Sequence, residues 1–156
     1  MATGTDEVIA NVDELGGASY FGRMGAWGTG SFENDHALDW VGDLLEGDVA
    51  IVRSALGSVA NAPDGEFLDA DDCCEALVAA ELVAAACGKG DDRLAHGALD
   101  WIAAHRSELG EADRGVAARA VGRVVAGSEL QELWDEGGPD EEWHASVSEL
   151  LRRLSA

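Results

Sequence analysis

The chain has 156 residues, with 31 acidic and 10 basic side chains and a net charge of −21. A field of that sign repels nucleic acid and anionic membrane and attracts basic partners. Hydrophobic residues make up 47% of the chain, enough for one buried core and too many for a disordered acidic tail.

Residues 1–23 form a leader. Val8, Ile9, Val12 and Leu15 line one side of a short helical pattern that Gly16 and Gly17 end. The expectation is a mobile arm, or an over-long gene start with Met24 the true initiator; residues 24–156 make one helical domain. Asp6, Glu7, Asp13, Glu14 and Arg23 are the only charges in the leader, so the acidity belongs to the domain itself.

The stretch from Met24 to Trp40 concentrates glycines, aromatics and carboxylates. Gly25, Gly28 and Gly30 let the backbone turn tightly, and Trp27 and Phe32 between them are large apolar anchors. This reads as an irregular segment that buries Trp27 and Phe32 and delivers the chain to a helix. Asn34 or Asp35 is the expected N-cap. Ala37, Trp40, Val41, Leu44 and Leu45 share its inner face, and Gly47 closes it as a left-handed cap. The competing reading is an anion cradle at a helix N-terminus, but no strand precedes the glycines, no lysine follows them, and Glu33 and Asp35 repel phosphate.

Asp48 caps a second helix with Val49, Val52, Leu56 and Val59 inward. Pro63, Asp64 and Gly65 make a turn, after which Phe67 and Leu68 re-enter the core. Residues 70–87 are apolar nearly all round, as expected of the helix at the centre of a bundle. Gly88 to Gly90 end it. The next helix starts near Asp91 or Asp92 and aligns Leu94, Ala98, Trp101, Ile102 and His105. Another spans about Glu111 to Ala126, burying Val116, Ala120, Val121 and Val124 and exposing Arg114, Arg119 and Arg123. Ser128 and Gln131 form a capping box for a short helix with Leu130, Leu133 and Trp134. Pro139 opens the last helix, whose stripe is Trp143, Val147, Leu150, Leu151 and Leu154, with Arg152 and Arg153 at its negative end. No period-2 pattern appears. The fold class is all-α: a compact bundle of about six to seven short helices around one central alanine-rich helix.

Cys73, Cys74 and Cys87 fall on one helix, where neighbours do not reach disulfide geometry, so a reduced cytoplasmic protein is expected. No apolar run is long enough to cross a membrane, and the N-terminus lacks the charge and apolar core of a signal peptide. No metal-binding spacing is present among His36, His96, His105 and His144, and no metal or other cofactor is expected. Glu33, Asp35 and His36 are the residues that would contact a small ligand or cation; capping and solvation explain them more simply. The cysteines, small and set among alanines, read as inert packing. Glu81 stands out, because a carboxylate in an apolar helix must be paired, hydrogen-bonded or protonated. It is expected to staple the opening motif to the central helix through backbone N–H groups or the Trp27 indole. The competing role is a general base beside Asp35 and His36. Trp40, Trp101, Trp134 and Trp143 fall on apolar faces and read as core, with Trp134 alternatively an exposed anchor for a partner.

The run from Met24 to Trp40 resembles the opening of a bacterial family known as domain of unknown function 4259. Two later stretches, Glu75 to Ala85 and Ser128 to Glu136 with Trp143 and the terminal Leu150 to Leu154, resemble the same family. The resemblance implies a small helical domain and supplies no activity. Gly25, Trp27, Gly28, Gly30, Phe32, Asn34, Asp35, Trp40 and Glu81 are therefore read as structural motif residues. The function expected from the sequence is a non-catalytic interaction or regulatory module that meets a basic protein, in the manner of an inhibitor or immunity protein. It involves no nucleic acid and no membrane. The alternative is a small-ligand or metal-dependent enzyme using a cleft beside the glycine-rich loop.

Overall fold

The computed structural model describes residues 30–32, 35–90 and 97–155. Within them lie seven α-helices and no strand: α1 (Asp35–Leu44), α2 (Val49–Ala60), α3 (Ala70–Ala86), α4 (Ala98–His105), α5 (Glu111–Ala126), α6 (Glu129–Trp134) and α7 (Glu141–Ser155). A single 3₁₀ turn at Arg106–Glu108 follows α4. The all-α bundle expected from the sequence is the fold. The leader, Gly25, Trp27, Gly28, Glu33, Asn34 and His96 lie outside the described residues.

The centre of the bundle is α3, which packs against all six of the other helices. Its sequence dictates this position: from Cys73 to Ala86 only Glu75 escapes burial. Alanines make much of its surface, so neighbours approach closely on every side. Asp69 caps its start, with its carboxylate accepting the Asp72 N–H at 2.8 Å. At its end Gly88 (φ +83°) donates to Ala85 O at 3.0 Å, and Lys89 donates to Ala84 O at 2.8 Å. That pair of bonds is a Schellman motif, and only glycine adopts its left-handed position without strain.

The other boundaries follow from caps. Asp48 accepts the Ala50 N–H at 2.9 Å at the start of α2, as its sequence position indicates. Ser128 accepts the Gln131 N–H at 3.1 Å before α6, while the Gln131 side chain turns to Asp135 at 2.6 Å instead of closing the capping box. The last helix is capped by Asp140, which accepts the Trp143 N–H at 2.9 Å, so Pro139 lies just ahead of the helix and not in its first turn.

Several sequence expectations are corrected. Gly47 is absent from the positive-φ glycines; a Cβ there would overlap Ile51 Cδ1, so the position needs space and not a left-handed bend. Leu45 and Phe67 face outward, Phe67 at 69% exposure, while Leu68 alone turns inward. Gly97, at φ +88°, stands immediately before α4, which begins at Ala98; Asp91, Asp92 and Leu94, where this helix was expected to start, lie outside the described residues. In α5, Ala117 is buried with Ala120, Val121 and Val124, and Val116 is only half-buried. Trp134 is not an exposed anchor: it is buried, with its ring 6.2 Å from that of Trp143 and nearly parallel to it.

No described helix is long and apolar enough to cross a membrane.

Candidate functional site

Glu81 lies on the second half of α3, where every neighbouring position is apolar and buried. It is the one buried carboxylate among the described residues. An ionised group there requires partners. Ser31, from the opening motif, donates its hydroxyl to Glu81 Oε2 at 3.1 Å. Arg153, from the last turn of α7, donates Nη2 to Glu81 Oε1 at 3.1 Å. The same guanidinium donates to Glu149 Oε1 at 2.7 Å and to the Lys89 carbonyl at 3.1 Å. Desolvation acts to lower the Arg153 pKa, but Glu81 and Glu149 outweigh it and hold the guanidinium firmly charged.

The arrangement joins three parts of the chain at one buried point: the opening motif, the central helix and the C-terminal helix. Phe32, beside Ser31, is buried in the same core. Glu81 meets the opening motif through the Ser31 hydroxyl; Trp27, the indole expected to reach it, lies outside the described residues. Arg153 stands at the negative end of the last helix, as the sequence indicates, and the structure also buries it. The signal was present: Arg153 is three residues after Leu150 and next to Leu154, on the apolar stripe.

The other candidate residues fall elsewhere. Asp35, the first residue of α1, is exposed, and Gly30 is half-buried ahead of it. His36 Nε2 lies 2.9 Å from Glu75 Oε2, and its Nδ1 lies 3.9 Å from Asp71. His36 therefore ties α1 to the N-terminal part of α3, whereas Glu81 meets Ser31 and Arg153.

Beside that contact, a groove of about 410 Å³ runs between α1, α2 and α3. Its floor is the face of α2 that carries Ala50, Ile51, Ser54, Ala55 and Ser58. Trp40, half-buried, forms one side, and Asp72 and Glu75, one turn apart on α3, form another. Partial burial and the neighbouring carboxylates Asp69 and Asp71 raise the proton affinity of Asp72. His36, in contact with Glu75, acts in the opposite direction on Asp72.

Several of the described arginines, by contrast, bind groups of the chain itself, while Arg106 is exposed. Arg53 forms a two-pronged bridge to Asp113 at 2.9 and 3.1 Å and donates to the Glu108 carbonyl at 2.7 Å. Its hydrogen bonds hold the Asp113 carboxyl below the usual carboxylate range. Arg123 donates to the carbonyls of Val59, Ala62 and Pro63 at the C-terminus of α2, so it is a capping group and not a solvent-facing charge. Arg119 reaches the Asn61 side chain at 3.4 Å, and Arg152 pairs with Glu149 at 2.8 Å. Carboxylates such as Asp39, Asp43, Asp64, Glu66, Glu132 and Glu142 remain exposed.

Cys73 and Cys74 are buried thiols; burial pushes their pKa to about 11 and about 12. They are held as neutral packing groups. Among the described residues no group of three or more His, Cys, Asp and Glu is placed to hold a metal ion.

Together these features define a small all-α domain, pinned by a buried ion pair and covered by carboxylates. Its sequence matches the family model described as Domain of unknown function (DUF4259) over residues 25–146, and the chain belongs to that family. Neither a curated protein nor a solved structure matches it.

Proposed function

We propose that this chain is a non-catalytic interaction module of the cytoplasm that offers an acidic helical surface to a basic protein. The observation that carries the reading is the division of labour among charges. Arg53, Arg123 and Arg153 bind the chain's own carboxylates and carbonyls, while the acids of α1 and of the first turn of α3 face solvent. A surface of this kind steers and orients a basic partner, fixing specificity and encounter rate more than raw affinity. The high proton affinity of Cys73 and Cys74 supports a non-catalytic role for them, and three free thiols suit a reducing compartment.

The test is affinity capture of the tagged full chain from its own cells at low and at high salt, followed by remixing of purified components. The proposal expects one basic partner that recombines in fixed stoichiometry and is released by salt. Turnover of a small molecule by the purified chain, or a captured partner indifferent to salt, would refute it.

A further inference from the structure

We infer that the groove between α1, α2 and α3 seats one arginine or lysine side chain projecting from the basic partner. The inference rests on the proposed function and gives it a location. Three properties of the groove are complementary to such a side chain. Ile51 and Ala55 provide an apolar floor for the methylene stem, which long cationic side chains lay on apolar surface. Trp40, half-buried at the side, provides an indole, the ring that attracts a cation most strongly. Asp72 and Glu75 stand one helical turn apart where the charged head arrives, Asp72 as its main acceptor and Glu75 shared with His36.

A run of carboxylates alone would be a solvated face. Here the acids border a shaped hollow with an aromatic side and a hydroxyl, Ser54, on its floor. The volume of about 410 Å³ lies toward the small end of ligand pockets, suited to one side chain and not to a folded element. The like-charge repulsion that Asp69 and Asp71 impose on Asp72, offset in part by His36, is relieved further by an incoming cation and increased by an anion.

The experiment uses the full ¹⁵N-labelled chain and an acetylated, amidated pentapeptide with one arginine between glycines. The same peptide with citrulline in place of arginine removes the charge and keeps the shape. Saturable amide shifts centred on Trp40, Ser54, Asp72 and Glu75 are expected with arginine and not with citrulline. Ser54→Trp fills the floor without altering charge, and Asp72→Asn removes one carboxylate. Each is expected to weaken binding roughly tenfold or more, as loss of a central contact does, while Glu141→Gln on α7 leaves it unchanged. Circular dichroism confirms that the variants fold. Shifts scattered over the acids of other helices, equal binding of citrulline, or wild-type affinity in a folded Ser54→Trp chain would overturn the inference. A captured basic partner that binds Ser54→Trp as tightly as wild type keeps the proposed function and removes the groove. Arginine seated in the groove with no partner captured keeps the groove and removes the proposed function.

Discussion

Arg153 occupies a place on α7 where the apolar stripe calls for a leucine, and Glu81 occupies the matching place on α3. Each is nearly fully buried, at 9% and 6% side-chain exposure. Removing one charge leaves the other desolvated and uncompensated, a loss of about 3–5 kcal/mol in comparable buried pairs. Glu81→Gln is therefore expected to lower stability by about 3 kcal/mol in urea titrations, and an unchanged midpoint would refute the pin. Ser31→Ala removes one neutral-to-charged hydrogen bond and is expected to cost about 1–2 kcal/mol. The double change Glu81→Leu with Arg153→Met should recover much of the single-variant loss, because it removes both charges together. The thiols provide a second check at this scale. Iodoacetamide is expected to modify the half-buried Cys87 first and to reach Cys73 and Cys74 only after denaturant is added. Glu81 was legible in the sequence as a buried acid needing partners. Arg153 was not identified because a basic residue in a last helical turn already has a sufficient local explanation in the helix dipole.

Helix positions were legible wherever apolar periodicity and a side-chain cap coincided, as at Asp48 with α2 and Ser128 with α6. A helix end was misjudged where a glycine decided the matter. At Gly47 the missing Cβ makes room for Ile51, and no left-handed bend forms. Phe67 misled for another reason: the turn at Gly65 sets which of two adjacent apolar residues faces inward, and pattern alone does not. The glycines yield opposite predictions. Gly115 lies inside α5 with nothing within 4 Å of a built Cβ, so Gly115→Ala is expected to raise stability by about 0.5–1 kcal/mol. Gly65 has φ +82°, so Gly65→Ala is expected to lower it by about 1 kcal/mol or more. Thermal melts of both variants check the pair. The connection from α6 to α7 is organised by Asp135. Burial acts to raise its pKa, but hydrogen bonds from the Asp140 N–H, the Gln131 amide and the His144 ring outweigh it and lower the pKa. A depressed folded-state value means the unfolded chain binds protons first. The contribution is then complete above the ordinary value of about 3.9 and lost as pH falls through the folded one. Asp135→Asn should flatten the acid-side fall in stability; an identical pH profile would contradict that assignment.

At the scale of the whole molecule, the net charge of −21 opposes compaction through self-repulsion, which mobile ions screen. Adding sodium chloride is expected to raise Tm, and a Tm that falls with salt would mean that ion pairs outweigh repulsion. The fold class was legible because one helix, Ala70–Ala86, is too apolar to lie anywhere but the centre. The candidate groove was not, since Trp40, Ser54 and Asp72 come from three helices and meet only once those helices pack. The proposed function has the exposed carboxylates binding a basic protein. Its most direct test is the dissociation constant of the captured partner measured across a range of sodium chloride concentrations. The account predicts a steep, continuous loss of affinity as salt rises, and an affinity that stays flat across the range would contradict it.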